Sequence, residues 1–463
     1  MIVMKFGGTS NENAAVMRNV VRIVKSHLAE QPIVVISAIA RATNELEQIA
    51  RTAALGDQPQ AEELVKSLFR RHDAIIADLI TISERARQLT SAFALYQREL
   101  SELVKGISIL KELTPRTMDS VCSYGERISS RIISAALEES GVRSVWVDAK
   151  EFMLTDDNFG RAQPLIDKVR ERLEEVVKPL LAKGDIPVTQ GFIGVTLSGN
   201  YTTMGRESSD YSASIIGSAM NARKVQIWTD VDGILTADPR IVQSTKKVKR
   251  MSFEEAFELS YFGAKVLHPT TMLPVLEKKI PVQIMNSRRE QSTGTLVEPD
   301  TLPVTSVVKS IAHRKNVSVV TVLPHRRFGQ YVFWEGIFSV LTKYGVSTSL
   351  MATSEYNVSL LVDDRVITSG LSQELGEFGK VEVQANKGSI SIVGKGLRAN
   401  PKIINRIFRS VGDCDLAMVS YGASDSSMTI VVEAGQIAGA LKLLHREFFD
   451  NIDDIEAFDP IGE

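Results

Sequence analysis

The sequence predicts an α/β protein: a mainly parallel sheet flanked by helices over residues 1–300, followed by two small βαββαβ, ferredoxin-like modules. Three observations carry this. Apolar runs at 2–6 and 33–36 alternate with amphipathic stretches at 14–28 and 44–54, the pattern of strands buried on both faces with helical crossovers. A long charged stretch at 58–113 has few helix breakers and reads as a helical subdomain near the sheet edge. Past residue 300 the rhythm changes, and a helix–glycine–strand–strand unit recurs after roughly 70 residues, an internal repeat.

In chain order, the first strand runs into Gly7-Gly8, and the helical stretch ends at Thr114-Pro115. Strands resume at 144–147, 186–189, 224–228 and 280–284, each ending beside a polar cluster, where open α/β sheets place their ligands. A proline-punctuated link at 298–303 closes the region. In the tail, a helix at 337–345 stops at Gly345 and leads to strands at 349–352 and 358–362. A second helix at 404–412 stops at Gly412 and leads to strands at 416–420 and 428–433. The expected boundaries are 1–300 for the first domain, 301–385 for the first module, open to including 434–463, and 386–450 for the second.

A chain of 463 residues suits two to four domains. With 56 acidic against 54 basic residues there is no field to draw nucleic acid or an anionic membrane. Cys122 and Cys414 lack metal or disulfide spacing, no apolar run is long enough to cross a bilayer, and the start lacks signal-peptide order. A cytoplasmic protein is expected. No His or Cys cluster has metal-ligand spacing, so any metal is expected to arrive on a nucleotide, as magnesium does.

Chemistry concentrates first in Met4-Lys5-Phe6-Gly7-Gly8-Thr9-Ser10. A strand ending in a lysine and two glycines brings main-chain N–H groups and a cation to one point, which suits phosphoryl oxygens, though it also suits an ordinary strand–helix turn. The glycines are expected to keep side chains clear of an anion and to adopt positive φ. Thr43-Asn44, just beyond the Ser37-Ala38 strand end, reads as a ligand contact or a helix cap. Glu126, after Gly125, reads as a cap or as the partner of an ammonium.

Gly191-Phe192-Ile193-Gly194, then Gly205-Arg206-Glu207-Ser208-Ser209-Asp210-Tyr211, set an arginine, hydroxyls and a carboxylate at a helix start. This suits a carboxylate clamp, with Asp210 placed to orient an ammonium or Lys5, or to cap the helix as Ser209 also could. The run from Trp228 to Arg240 leaves a buried strand as a polar loop. It suits a nucleotide, with Thr229 and Asp230 near base or ribose and Arg240 near phosphate, or it is simply turned at Asp232-Gly233 and Asp238-Pro239. Lys265, ahead of Val266-Leu267-His268-Pro269, is a solvated helix end or a second nucleotide cation, and His268 reads as structural.

In order and spacing these motifs resemble the aspartokinases across most of the first 300 residues, and the tail resembles the paired ACT modules of that family. The resemblance implies an amino-acid-kinase fold and ATP-dependent phosphorylation of the L-aspartate β-carboxylate to 4-phospho-L-aspartate, the first step toward lysine, threonine and methionine. By motif position, Lys5, Gly7 and Gly8 meet the transferring phosphate, and Asp210 organises the lysine. Aspartate lies on Thr43, Glu126, Arg206 and Ser209. ATP with magnesium lies on Lys5, Thr229, Asp230, Leu235, Arg240, Lys265 and Val266. The implied partners are an amino-acid effector, lysine or threonine, and a second copy joined through the ACT modules. Rival readings are a kinase of the same fold acting on glutamate or a derivative, and an idle amino-acid sensor; Lys5, Arg206, Asp210 and Lys265 together argue against the latter.

Some positions depart from the family pattern. Leu235 stands where a tyrosine is usual, so adenine packing there is aliphatic or supplied elsewhere, and Glu207-Ser208 replace small residues. Lysine-sensitive relatives carry a glycine-rich loop and an aspartate in the first module. Here the loop is Arg326-Arg327-Phe328-Gly329-Gln330 and the acidic position is Ser349, although Thr353, Ser354 and Glu355 keep the usual run. An ammonium buried without its carboxylate is costly, so weakened or altered lysine feedback is expected.

Overall fold

The computed structural model describes residues 1–205, 208–263, 269–299, 307–325, 329–354, 357–450 and 457–460. The chain forms two compact units, Met1–Gly233 with Thr270–Pro299, and Ile234–Pro269 with Asp300–Glu463.

Seven strands of the first unit lie in the order Thr295–Glu298, Val282–Asn286, Val225–Thr229, Ile2–Phe6, Pro32–Ile36, Ile186–Gln190, Ser144–Trp146. All neighbours run parallel except the first pair. The mainly parallel α/β class read from the sequence is therefore the one observed. Central strands such as Pro32–Ile36 and Ile186–Gln190 are buried throughout, which explains their unbroken apolar character. Ile2–Phe6 occupies the middle, with Lys5 opposite Val35 on one side and Ile227 on the other. Beside it Phe6 stacks on Trp228 at 5.9 Å.

The charged stretch forms two long helices, Gln58–Leu79 and Ser83–Leu110, whose apolar faces join the same core as the sheet. Asp57 caps the first by accepting from Gln60 N. A small satellite sheet, Leu154–Thr155, Ile193–Thr196 and Tyr201–Thr203, was not expected from the sequence; its strands are too short to show a period.

The second unit carries one six-stranded antiparallel sheet that serves both modules. Strands Ser310–Pro324 and Gly379–Val393 run through its whole width. Residues 317–324 lie between 379–387 and Val358–Asp363, with Leu350–Thr353 beyond; residues 310–314 pair with 389–393, followed by Ser427–Glu433 and Met418–Ser420. A register shift between Arg314 and Val317 marks the junction. Helices Gln330–Lys343 and Ser369–Gly376 share the first module's core. The second module takes one strand from residues 310–314, and its helix Ile437–Phe449 packs on Pro401–Ser410. That helix begins at Pro401, earlier than the apolar pattern indicated, because proline suits the first helical turn.

Gly191 lets the end of strand Ile186–Gln190 meet the helix Ser209–Ala219. An added Cβ would lie 2.7 Å from Ser209 Cβ and 2.9 Å from its Cα, and backbone cannot step aside cheaply. Gly191→Ala is predicted to destabilise the protein by about 1–3 kcal/mol, read as a lower urea midpoint; an unchanged midpoint would show the helix start free to shift.

Candidate active site

Lys5 is the single charged residue of a buried strand, and its Nζ lies 2.6 Å from Asp210 Oδ1, the two side chains being 11% and 15% exposed. Gly7 follows at once. Its N–H donates to Trp228 O at 3.0 Å, and a Cβ there would sit 3.6 Å from Lys5 Nζ. At Gly8 a Cβ would come 3.0 Å from Ala38 O. The expectation of positive φ at this pair is corrected: Gly7 has φ −71, and Gly8 is also outside the left-handed region. Glycine is needed here for clearance. The short turn Gly8–Asn11 is tied down by Asn11 Nδ2 donating to Gly7 O at 2.9 Å and by a 2.7 Å bond between the Ser10 and Ser287 hydroxyls. Ser287 in turn donates its N–H and hydroxyl to Thr229 O, at 2.8 and 3.0 Å.

Glu126 is 3% exposed. Its Oε1 accepts from Ala38 N at 3.1 Å, while Oε2 is buried with no hydrogen-bond partner among the described residues. Burial pushes the carboxyl up to about 8, against the opposing pull of the Ala38 amide and the Lys5 charge. Gly125 permits the approach, since a Cβ there would lie 2.9 Å from Ala38 Cβ. The capping alternatives fail. The N-cap of helix Tyr124–Glu139 is Ser123, without a side-chain cap bond, and helix Ala42–Ala54 starts after Arg41 at φ 71, so neither Glu126, Thr43 nor Asn44 is the cap. Thr43 lies half-buried on that helix's first turn. Next to Glu126, the Arg127 guanidinium sits 4.4, 4.7 and 4.8 Å from the ring centroids of Tyr96, Tyr124 and Tyr201, cation–π contacts that pin the helix start.

Ser209 and Asp210 open the helix Ser209–Ala219, whose N-cap, Ser208, makes no side-chain cap bond. Neither Ser209 nor Asp210 is its cap, and the first-turn amides keep the positive end of the helix dipole. Thr229 ends its strand, its hydroxyl donating to Asp230 Oδ1 at 3.3 Å, and Asp230 is exposed. Lys5, Gly7, Gly8, Glu126 and Asp210 are thus brought together, with Ser209 and Thr229 beside them. Ser287, which links Ser10 to Thr229, is a contributor the sequence did not reveal, and the bond from the Ala38 amide to Glu126 is a tertiary contact that local sequence does not name.

Leu235 and Arg240 belong to the second unit. Leu235 O accepts from Ser310 Oγ at 2.7 Å, and exposed Arg240 clasps Asp238 through Nε and Nη2, at 3.0 and 2.7 Å. Ser349 Oγ lies 3.5 Å from Leu361 O; Thr353 is exposed at a strand end, and Ser354 Oγ donates to Asn357 Oδ1 at 2.8 Å. Arg206, Lys265, Val266 and Glu355, and with them the loop residues 326–328, lie outside the described residues. Among the described residues no three His, Cys, Asp or Glu gather as a metal site, and no helix is long and apolar enough to cross a membrane.

The profile of the amino acid kinase family matches residues 1–286, and that of an ACT domain matches residues 390–448. Lysine-sensitive aspartokinase 3 of Escherichia coli (strain K12) is 32% identical over 465 residues, spanning 97% of this chain and 99% of its own. Aspartokinase 1, chloroplastic, of Arabidopsis thaliana is 32% identical over 468 residues, spanning 97% of this chain and 80% of its own. Among solved structures, E. coli aspartokinase III in complex with aspartate and ADP (R-state) superposes with a TM-score of 0.82 at 31% identity, covering 97% of this chain and 100% of that one. The same enzyme with lysine and aspartate (T-state) gives 0.83 at 30% identity, with the same coverage.

Glu126 makes the ligand-free protein sensitive to pH. Its folded value of about 8 lies above the ordinary 4.5, so its contribution to stability is complete below 4.5 and is lost as pH rises through 8. Thermal stability is predicted to fall between about pH 5 and about pH 9, and Glu126→Gln is predicted to flatten that slope. Identical slopes in differential scanning calorimetry would contradict the burial argument.

Proposed function

The chain belongs to the aspartokinase family, an amino acid kinase followed by ACT modules, and we propose that the pocket around Lys5 is where ATP phosphorylates L-aspartate. The protein is an ATP-dependent aspartate kinase under ACT-mediated allosteric control. The observation that carries the assignment of the pocket is the Lys5–Asp210 pair beside Gly7 and Gly8.

Glu126 Oε2, buried and without a partner among the described residues, is suited to the ammonium of aspartate, whose charge would hold Glu126 ionised. By sequence position Arg206 takes the α-carboxylate, with Thr43 and Ser209 supplying hydroxyls. The β-carboxylate is already ionised at neutral pH, so no general base is required. One of its oxygens forms a bond to the γ-phosphorus as the bond to the β,γ-bridging oxygen breaks and ADP leaves. What the protein supplies is placement and charge relief: Lys5 and the Gly8 amide face the negative charge in transit, Gly7, whose own N–H is held by Trp228 O, leaves room beside Lys5 Nζ, and Asp210 keeps the ammonium aimed. Thr229, Asp230, Leu235, Arg240, Lys265 and Val266 are assigned to the nucleotide by motif position. Magnesium carried on the phosphates would screen their charge.

The effector is an amino acid. The stretch Ser349, Thr353, Ser354, Glu355 is assigned to it, and Ser349 has no charge to offer an ammonium, which supports weakened lysine feedback. Among the described residues strand Leu350–Thr353 is hydrogen-bonded to a strand on one side only, so a homodimer joined through ACT modules would give that edge a partner. A cytoplasmic place at the head of lysine, threonine and methionine biosynthesis completes the proposal.

With Mg-ATP, either aspartate or glutamate, and hydroxylamine to trap acyl phosphate, the predicted product is aspartate hydroxamate alone. Glutamate hydroxamate would support the rival kinase, and no hydroxamate would support an idle sensor.

A further inference from the structure

We propose that Asp119 is a positioning residue that fastens the two ends of the aspartate pocket to each other, a role that rests on the aspartate site assigned above. Asp119 lies on helix Pro115–Cys122 and is 2% exposed. Its Oδ2 accepts from Gly160 N at 2.8 Å and from Thr203 N at 2.9 Å, and its Oδ1 accepts from Thr203 Oγ1 at 2.7 Å. All three partners are donors, which suits the acceptor-only carboxylate.

On one side, Ser123 N donates to Asp119 O at 3.0 Å, and through Ser123 the helix passes into Tyr124–Glu139, reaching Glu126 about two helical turns further on. On the other side, Thr203 ends strand Tyr201–Thr203, and the chain then enters the stretch that carries Gly205, Arg206 and Ser209. Gly160 borders that stretch as well: a Cβ on Gly205 would lie 3.8 Å from Gly160 O. Ala162 N donates to Thr203 O at 3.0 Å, so loop and strand end are bonded to each other as well as to Asp119. One buried carboxylate therefore joins the helix presenting Glu126, the ammonium end of the pocket, to the strand that leads into its carboxylate end. The spacing between those ends must match a single small substrate, and a displacement of about 1 Å at such a site can cost on the order of 10²-fold in rate.

Steady-state kinetics on three variants test this. Asp119→Ala is expected to raise KM for aspartate by about tenfold or more while KM for ATP stays within about twofold. Asp119→Asn is expected to restore most of the loss, because its Oδ1 can accept both amides while its Nδ2 donates to Thr203 Oγ1. Should Asp119→Ala fail to fold, Thr203→Val, which removes one of the three bonds, is expected to raise KM for aspartate by about two- to fivefold. An unchanged KM for aspartate in folded Asp119→Ala or in Thr203→Val, or an equal rise for both substrates, overturns the proposal. Glu126→Gln in the same assay separates the two levels: if it leaves KM for aspartate unchanged, the assignment of the site itself has failed.

Discussion

An ammonium in the middle strand of a parallel sheet is the constraint around which the first unit is arranged. Lys5 is flanked in register by Val35 and Ile227, and taking its charge out of water is costly unless a carboxylate meets it. Asp210 does so at 2.6 Å, from a helix that starts at the far end of a long excursion of the chain. Removing one partner of a buried pair costs about 3–5 kcal/mol, and this pair, being slightly open to solvent, belongs at the lower end. Glu126 presents the opposite situation, a buried carboxyl one of whose oxygens has no partner among the described residues. A site with one satisfied cation and one incompletely satisfied carboxyl, which an ammonium would ionise, is prepared for a ligand that brings an ammonium to one end and phosphate charge to the other.

The sequence made part of this legible. Lys5 with Gly7-Gly8 suits phosphoryl oxygens, but taken alone it equally suits an ordinary strand–helix turn, and it gains weight only beside the other motifs. Glu126 was ambiguous because a first-turn carboxylate caps a helix in most contexts, and only the tertiary bond to Ala38 N separates the two readings. Local sequence indicates Gly8 for clearance of an anion and for positive φ, yet the clearance it provides is from Ala38 O, a neighbour that local sequence does not name. Asp119 gave no signal at all: its partners Gly160 and Thr203 lie 41 and 84 residues away.

The tail shows a similar division. Its internal repeat foretold two modules, but not that strands Ser310–Pro324 and Gly379–Val393 would each serve both, since strand pairing at long range leaves no periodic trace. The segment Ile234–Pro269, inside the stretch matched by the kinase profile, packs with the second unit. Thr236 O accepts from Ile311 N at 2.8 Å, its hydroxyl meets His445 Nε2 at 2.9 Å, and Glu255 Oε1 accepts from Lys395 N at 2.9 Å. A strand, a turn and a helix of the regulatory modules therefore hold residues of the segment 234–255.

The most direct test of the central claim is the rate of phosphoryl transfer to aspartate in Lys5→Ala, measured in a single turnover with both substrates saturating and with the fold verified by circular dichroism. The account requires a fall of at least about 10²–10³-fold. A rate near that of the unaltered protein would contradict it.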